Sequence, residues 1–164
     1  MDQIQSLSNI VQQAIAGNDT YNTYKPIWQY YLESYIGGEE YRNAGHLVRY
    51  QLETEREYNA RLYATPLDNH CQSVISVYNS FLFRDEPKRH CGSMEDLPEK
   101  QEFMQDADFD GRSLNNFMKD VATWASVFGH CYVMVTKANV GATTRAEELE
   151  QGVRPYVSYL TPLV

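Results

Sequence analysis

At 164 residues and 19.0 kDa the chain is sized for one domain, or a domain with an extension, and it is long enough to bury a core. Its 22 Asp and Glu outnumber its 14 Lys and Arg, a formal net charge of -8 that excludes a general phosphate clamp, because counterion release needs clustered basic side chains. No run approaches about 18 apolar residues, so no membrane span is expected, and the first residues, Met1-Asp2-Gln3-Ile4, lack the basic start and apolar stretch of a signal peptide. Three Cys without CxxC spacing give no disulfide framework, which reads as a chain made in a reducing cytosol.

Thirteen tyrosines are present, and nine of them fall within residues 21–63. Charge is spread along the chain: residues 1–90 carry 8 basic and 11 acidic side chains, and residues 91–164 carry 6 and 11. No tail, low-complexity segment or solenoid repeat is apparent.

In chain order, Ile4, Leu7, Val11 and Ile15 recur at helical spacing and predict a short first helix ending at Gly17. Residues 18–23 read as a loop. Pro26 predicts a helix start, continuing over residues 27–35 to the Gly37-Gly38 break. A second break is expected around residues 43–45. Thr54 and Glu57 form a capping-box pattern that opens a helix to about Tyr63. Thr65-Pro66 with Asp68 restarts a helix at once. Its apolar stripe is Leu67, Cys71, Val74, Ile75, Tyr78, Phe81 and Leu82.

Residues 84–91 read as a loop. Ser93 with Asp96 predicts a short helix to about Met104, and Asp110-Gly111 predicts a turn. Ser113 caps the strongest helix, whose buried face is Leu114, Phe117, Met118, Val121, Trp124, Ala125 and Phe128, and Gly129 ends it. Residues 131–136 and 156–160 read as strands, joined by a polar connection with a helical turn near residues 146–149. Helices followed by a small β-sheet give an α+β fold.

Three constellations carry possible chemistry. Asp106, Asp108, Asp110 and Gly111 match the start of an EF-hand calcium loop, but position 8 is Ser113 and position 12, where a bidentate Glu is required, is Phe117. The loop therefore reads as an acidic turn leading into a helix cap. Each Cys follows a His: His70-Cys71, His90-Cys91 and His130-Cys131. Adjacent side chains diverge by about 100° in a helix and point to opposite faces of a strand, so no pair can close on one zinc ion. Cys71 and Cys131 read instead as small buried hydrophobes. No GxSxG, HExxH, GxGxxG or GxxxxGK[ST] occurs, and no catalytic residue is assigned. In the Tyr-rich segment, Lys25, Arg42, Arg49, Arg56 and Arg61 interleave with Glu33, Glu39, Glu40, Glu53, Glu55 and Glu57. Mixed charge favours a subunit contact over a base-stacking groove.

The ordered series across the chain resembles the N-terminal part of the portal (head–tail connector) proteins of tailed bacteriophages. It runs Tyr24-Lys25-Pro26-Ile27-Trp28, Tyr35-Ile36-Gly37-Gly38, Arg42-Asn43-Ala44-Gly45 and Glu57-Tyr58-Asn59-Ala60-Arg61-Leu62-Tyr63-Ala64. It continues through Val77-Tyr78-Asn79-Ser80-Phe81-Leu82-Phe83-Arg84-Asp85-Glu86-Pro87 and Asp108-Phe109-Asp110-Gly111-Arg112-Ser113-Leu114. It closes on Phe128-Gly129-His130-Cys131-Tyr132-Val133-Met134-Val135 and Arg154-Pro155-Tyr156-Val157-Ser158-Tyr159-Leu160-Thr161-Pro162. The resemblance covers residues 21–164 and implies a portal wing-like α+β region there, incomplete; residues 1–20 are expected to form an N-terminal helical extension ahead of it.

It further implies a homo-oligomeric ring, a dodecamer in the family, at one capsid vertex of the virion, assembled from subunits made in the host cytoplasm. Double-stranded DNA passes through such a ring without sequence specificity during packaging and ejection. Terminase, head–tail adaptor or tail proteins, and capsid or scaffold protein dock on it. The family supplies no catalytic residue, cofactor or metal. An acidic wall suits a conduit, since it repels phosphates where basic side chains would grip them. The alternative is a small cytosolic calcium- or metal-binding module using the Asp106–Asp110 loop or the His-Cys pairs. The apolar end, Tyr159 to Val164, and the prospect of only two strands predict a longer product, with residues 1–164 alone expected to aggregate.

Overall fold

The computed structural model describes residues 10, 12–14, 16–138, 141 and 144–163. Ile4, Leu7, Val11 and Ile15, which define the expected first helix and most of the 1–20 extension, include no described residue. The architecture is α+β: a succession of helices, then a two-stranded antiparallel sheet. The chain divides between Ser73 and Val74 into two compact units.

Residues 10, 12–14 and 16 are helical, and the first helix of the first unit with described bounds is α1, Asp19–Ile36. The expected loop over residues 18–23 is helical instead, because Asn18 supplies the cap: its Oδ1 accepts the Tyr21 amide at 2.9 Å. Pro26, expected at a helix start, lies inside α1. Trp28 packs on Tyr21 and Tyr24, at ring separations of 5.7 and 5.9 Å, and so bridges the turns on either side of the missing amide.

Gly37 ends α1 at φ 69. A side chain there would be blocked, since a Cβ would stand 2.5 Å from Asn69 Nδ2, which donates to the Tyr35 carbonyl at 2.7 Å. The helix α2, Gly38–Asn43, follows at once. Next comes α3, Glu55–Ala64, with the expected capping box fully formed. Among the described residues, the first unit buries no hydrophobic side chain. It is tied by polar and aromatic contacts: Arg61 forks onto Glu53 at 2.8 Å through two nitrogens, and lies 4.5 Å over the Tyr50 ring.

The helix α4, His70–Leu82, starts two residues after Asp68 rather than at Pro66, and it runs across the division between the units. Asn69 takes the capping role, its Oδ1 accepting the Gln72 amide at 3.1 Å. The helix expected to begin at Ser93 is a 3₁₀ turn at Gly92–Met94, followed by α5, Pro98–Gln105. Pro98 cannot continue a helix but suits the first position of a new one.

The second unit centres on α6, Leu114–Phe128, capped by Ser113 and closed by Gly129 in the left-handed region. Phe117, Val121, Val127 and Phe128 are buried, whereas Leu114, Met118, Trp124 and Ala125 are half-buried. Strand β1 is Tyr132–Thr136. After it come α7, Arg145–Glu150, and β2, Tyr156–Leu160. The register pairs Val133 with Tyr159 and Val135 with Val157. The core is Ala107, Phe117, Val121 and Val157, with Phe103, Met118 and Tyr159 against it.

Candidate functional site

The Asp106–Gly111 turn is held by its own carboxylates. Asp106 Oδ1 accepts the Gly111 amide at 2.9 Å, and its Oδ2 meets Arg154 Nη2 at 2.6 Å. Asp108 Oδ1 accepts the amides of Asp110 and Arg112 at 3.0 and 3.2 Å, and its Oδ2 lies 2.8 Å from Arg112 Nε. Burial pushes the Asp108 carboxyl up. The two amides and the Arg112 guanidinium outweigh that and hold it below its ordinary value.

Phe109 sits at the tip with φ 69, an uncommon conformation for a residue with a side chain. Its ring is clamped between Arg154, 4.1 Å from the centroid, and Tyr156, 5.4 Å away. Ala107 fastens the base of the turn to β2 by accepting the Val157 amide at 2.9 Å. Phe117, at the position of the missing Glu, is 1% exposed in the core. The oxygens of Asp106 and Asp108 are thus engaged by amides and arginines, and the turn joins α5, α6 and β2.

The His-Cys pairs have separate surroundings. Cys71 is exposed, against the expectation of burial, because the apolar stripe of α4 faces outward. Its neighbour His70 pairs with Asp68 at 3.1 Å. Cys91 is half-buried, and its amide donates to Glu95 at 2.8 Å. Cys131 donates to the Leu160 carbonyl at 3.6 Å, and burial pushes its thiol up. No set of three or more His, Cys, Asp or Glu among the described residues is grouped to hold a metal ion.

A cavity of about 460 Å³ in the second unit is lined by Cys91, Met94, Leu97, Phe103, Val153 and Pro155. The cations on its wall are paired: Lys100 with Glu95, Lys137 with Glu148, and Arg154 with Asp106 and Glu102. The cations on this largely apolar wall are thus already engaged by carboxylates.

The largest departure from expectation is what stays in water. On α4 the residues Val74, Val77, Tyr78, Phe81 and Leu82 are 57–72% exposed. At 100° per residue they form one stripe, while Ile75, Asn79 and Phe83 form another. The second stripe is the one turned inward: Asn79 is 3% exposed and donates from Nδ2 to Thr123 Oγ1 of α6 at 2.8 Å. The helix is thus apolar on two sides and covered on one. On β1, the strand expected over residues 131–136, the four residues Tyr132 to Val135 are all 44% exposed or more.

The Tyr-rich region also departs from a flat stacking surface. Tyr30 and Tyr41 close on His46, at ring separations of 4.7 and 4.9 Å, and His46 Nε2 meets Glu33 at 2.6 Å. A hydrogen bond from Tyr58 to the Leu47 carbonyl at 2.9 Å fixes the same loop. These rings are mortar within the first unit. Asn79 and Arg154, the two residues that organise the second unit, carry no local sequence signal: their partners lie 44 and 48 positions away.

Compared with protein-family models and with curated proteins, the chain matches none.

Proposed function

We propose that this chain is a structural assembly protein of the phage-portal kind, its described residues belonging to the wing-like part of a ring subunit. In this reading many copies close into a ring at a capsid vertex. Double-stranded DNA moves through its channel, and terminase, adaptor or tail proteins, and capsid or scaffold protein dock on it. The observation that carries the reading is the apolar surface of the second unit. A chain that acts alone rarely leaves a continuous stripe such as Val74 to Leu82 in water, whereas a subunit does so because its neighbour covers it. The order of motifs and the formal charge of -8 support the same reading, since an acidic lining lets DNA slide. Geometry favours it over the calcium or metal module, because the carboxylates of Asp106 and Asp108 already hold amides and arginines.

The test is a solution mass measurement on the purified product, with metal analysis of the same sample. A particle of many subunits without stoichiometric metal is expected. A monomer holding one metal ion per chain contradicts the proposal and restores the metal-module reading.

A further inference from the structure

The helix α4 is joined to the second unit by a polar residue rather than an apolar one. Of its residues, all of them described, Asn79 alone is buried. Ile75 and Phe83, one turn to either side on the same stripe, are half-buried. Among the described residues, the apolar core is Ala107, Phe117, Val121 and Val157 with the side chains packed against them, and no residue of α4 belongs to it.

The Asn79 amide is satisfied on one side only. Its Nδ2 donates to Thr123 Oγ1 of α6 at 2.8 Å. The Thr123 hydroxyl already donates its proton to the Lys119 carbonyl at 3.0 Å, so towards Asn79 it can only accept. Asn79 Oδ1 is buried and accepts no hydrogen bond among the described residues. Turning the amide over gives no relief. It would set Oδ1 against an oxygen whose proton is spent, and would leave both N–H groups unpaired instead. A buried acceptor without a donor weakens a contact roughly 5- to 140-fold relative to a satisfied one. Such a pin specifies which side of a helix is seated at the expense of stability, as a polar residue in a coiled-coil seam does.

We propose that α4 is a detachable helix: the Asn79–Thr123 contact latches it to α6, and it leaves that seat while the core around Phe117 stays folded. On leaving, Asn79 Oδ1 gains water, which offsets part of the lost contact, and Thr123 keeps its bond to Lys119. The second unit therefore has two states that differ in the placement of one helix. The open state is reached at a free energy well below that of unfolding the unit. The latch does not depend on the ring reading, and it operates in a lone subunit as in an assembled one.

The experiment is hydrogen–deuterium exchange on the full product at subunit dilution, with each rate taken relative to the intrinsic rate of that amide. Amides of residues 74–82 should exchange at least tenfold faster than those of residues 118–128 in α6. Asn79→Leu keeps the branched shape of the side chain, removes the unpaired oxygen and leaves Thr123 bonded to Lys119. It should slow the α4 amides at least fivefold and leave the α6 amides unchanged. Asn79→Asp places a charge at the same buried position and should hasten the α4 amides at least tenfold, again without effect on α6. Circular dichroism checks the fold of each variant. Equal rates for the two helices in the unaltered chain would mean that α4 opens only when the unit unfolds, and would overturn the proposal whatever the variants do. An Asn79→Leu chain whose α4 amides exchange as fast as before, or faster, overturns the latch. If a variant does not fold, the comparison of α4 with α6 in the unaltered chain decides.

Discussion

Two phenylalanines at helical core-type positions should behave in opposite ways. Phe117 is 1% exposed and touches the small cluster of Ala107, Val121 and Val157, with the Tyr159 ring 5.7 Å away. Phe81 is 72% exposed. Replacing Phe117 by Ala removes a buried ring and leaves a cavity whose walls are α6 and β2, at a cost of about 3–5 kcal/mol. A compact unit of this size is held by only about 4–13 kcal/mol. The loss is therefore about a quarter of the total or more, and the second unit should melt well before the unaltered chain. Phe81→Ala should change the stability of the dissociated subunit by less than about 0.5 kcal/mol, because it vacates no packed space. The assay is denaturant unfolding at subunit dilution, read by Trp124 fluorescence. Trp124 lies in α6, stacks on Phe128 at 5.9 Å and donates at 3.3 Å to the hydroxyl of Tyr159, whose ring packs on Phe117. Equal costs for the two substitutions, or a cost under about 1 kcal/mol for Phe117→Ala, would refute the placement of the core.

Arg154→Ala should destabilise the second unit by about 1–3 kcal/mol, since it strips Asp106 of a charged partner and Phe109 of its cation; an unfolding midpoint equal to that of the unaltered chain would reject the clamp. Glu53 is pulled from 4.5 to about 2, chiefly by the hydrogen bonds from Arg61. A lowered carboxyl stabilises the fold above its unfolded value, so this tether should hold in full above about pH 4.5 and fail as pH falls through about 2. Carboxyl chemical shifts would report it, and a Glu53 midpoint near 4.5 would contradict the fork. Among the thiols, Cys71 is exposed while Cys131 is half-buried with its thiol pushed up, so alkylation at pH 8 should label Cys71 first; faster labelling of Cys131 would reject the outward turn of α4.

Local signals in the sequence were reliable wherever one residue decides an outcome. The Thr54–Glu57 box, the Ser113 cap, the Gly129 stop and both strands stand where their patterns place them. Starts were misjudged where two caps competed. Asn18 overrode the helix start suggested by Pro26, and Asn69 displaced Asp68 because its amide also reaches the Tyr35 carbonyl. The orientation of α4 was beyond local reading. A helix with apolar residues on two sides has no periodic signal for which side its own chain covers, and the choice falls to Asn79, whose partner is 44 residues away. The same limit hid the role of the acidic turn. The spacing of Asp106, Asp108 and Asp110 is legible, but Arg154, which consumes one of its oxygens, is 48 residues downstream.

The measurement that bears most directly on the central claim is electron microscopy of the purified full product. A ring of many subunits, with an axial channel wide enough for duplex DNA and α4 lying in the seam between neighbours, is the predicted result. A stable, dispersed monomer with Val74, Val77, Tyr78, Phe81 and Leu82 still open to water would contradict it.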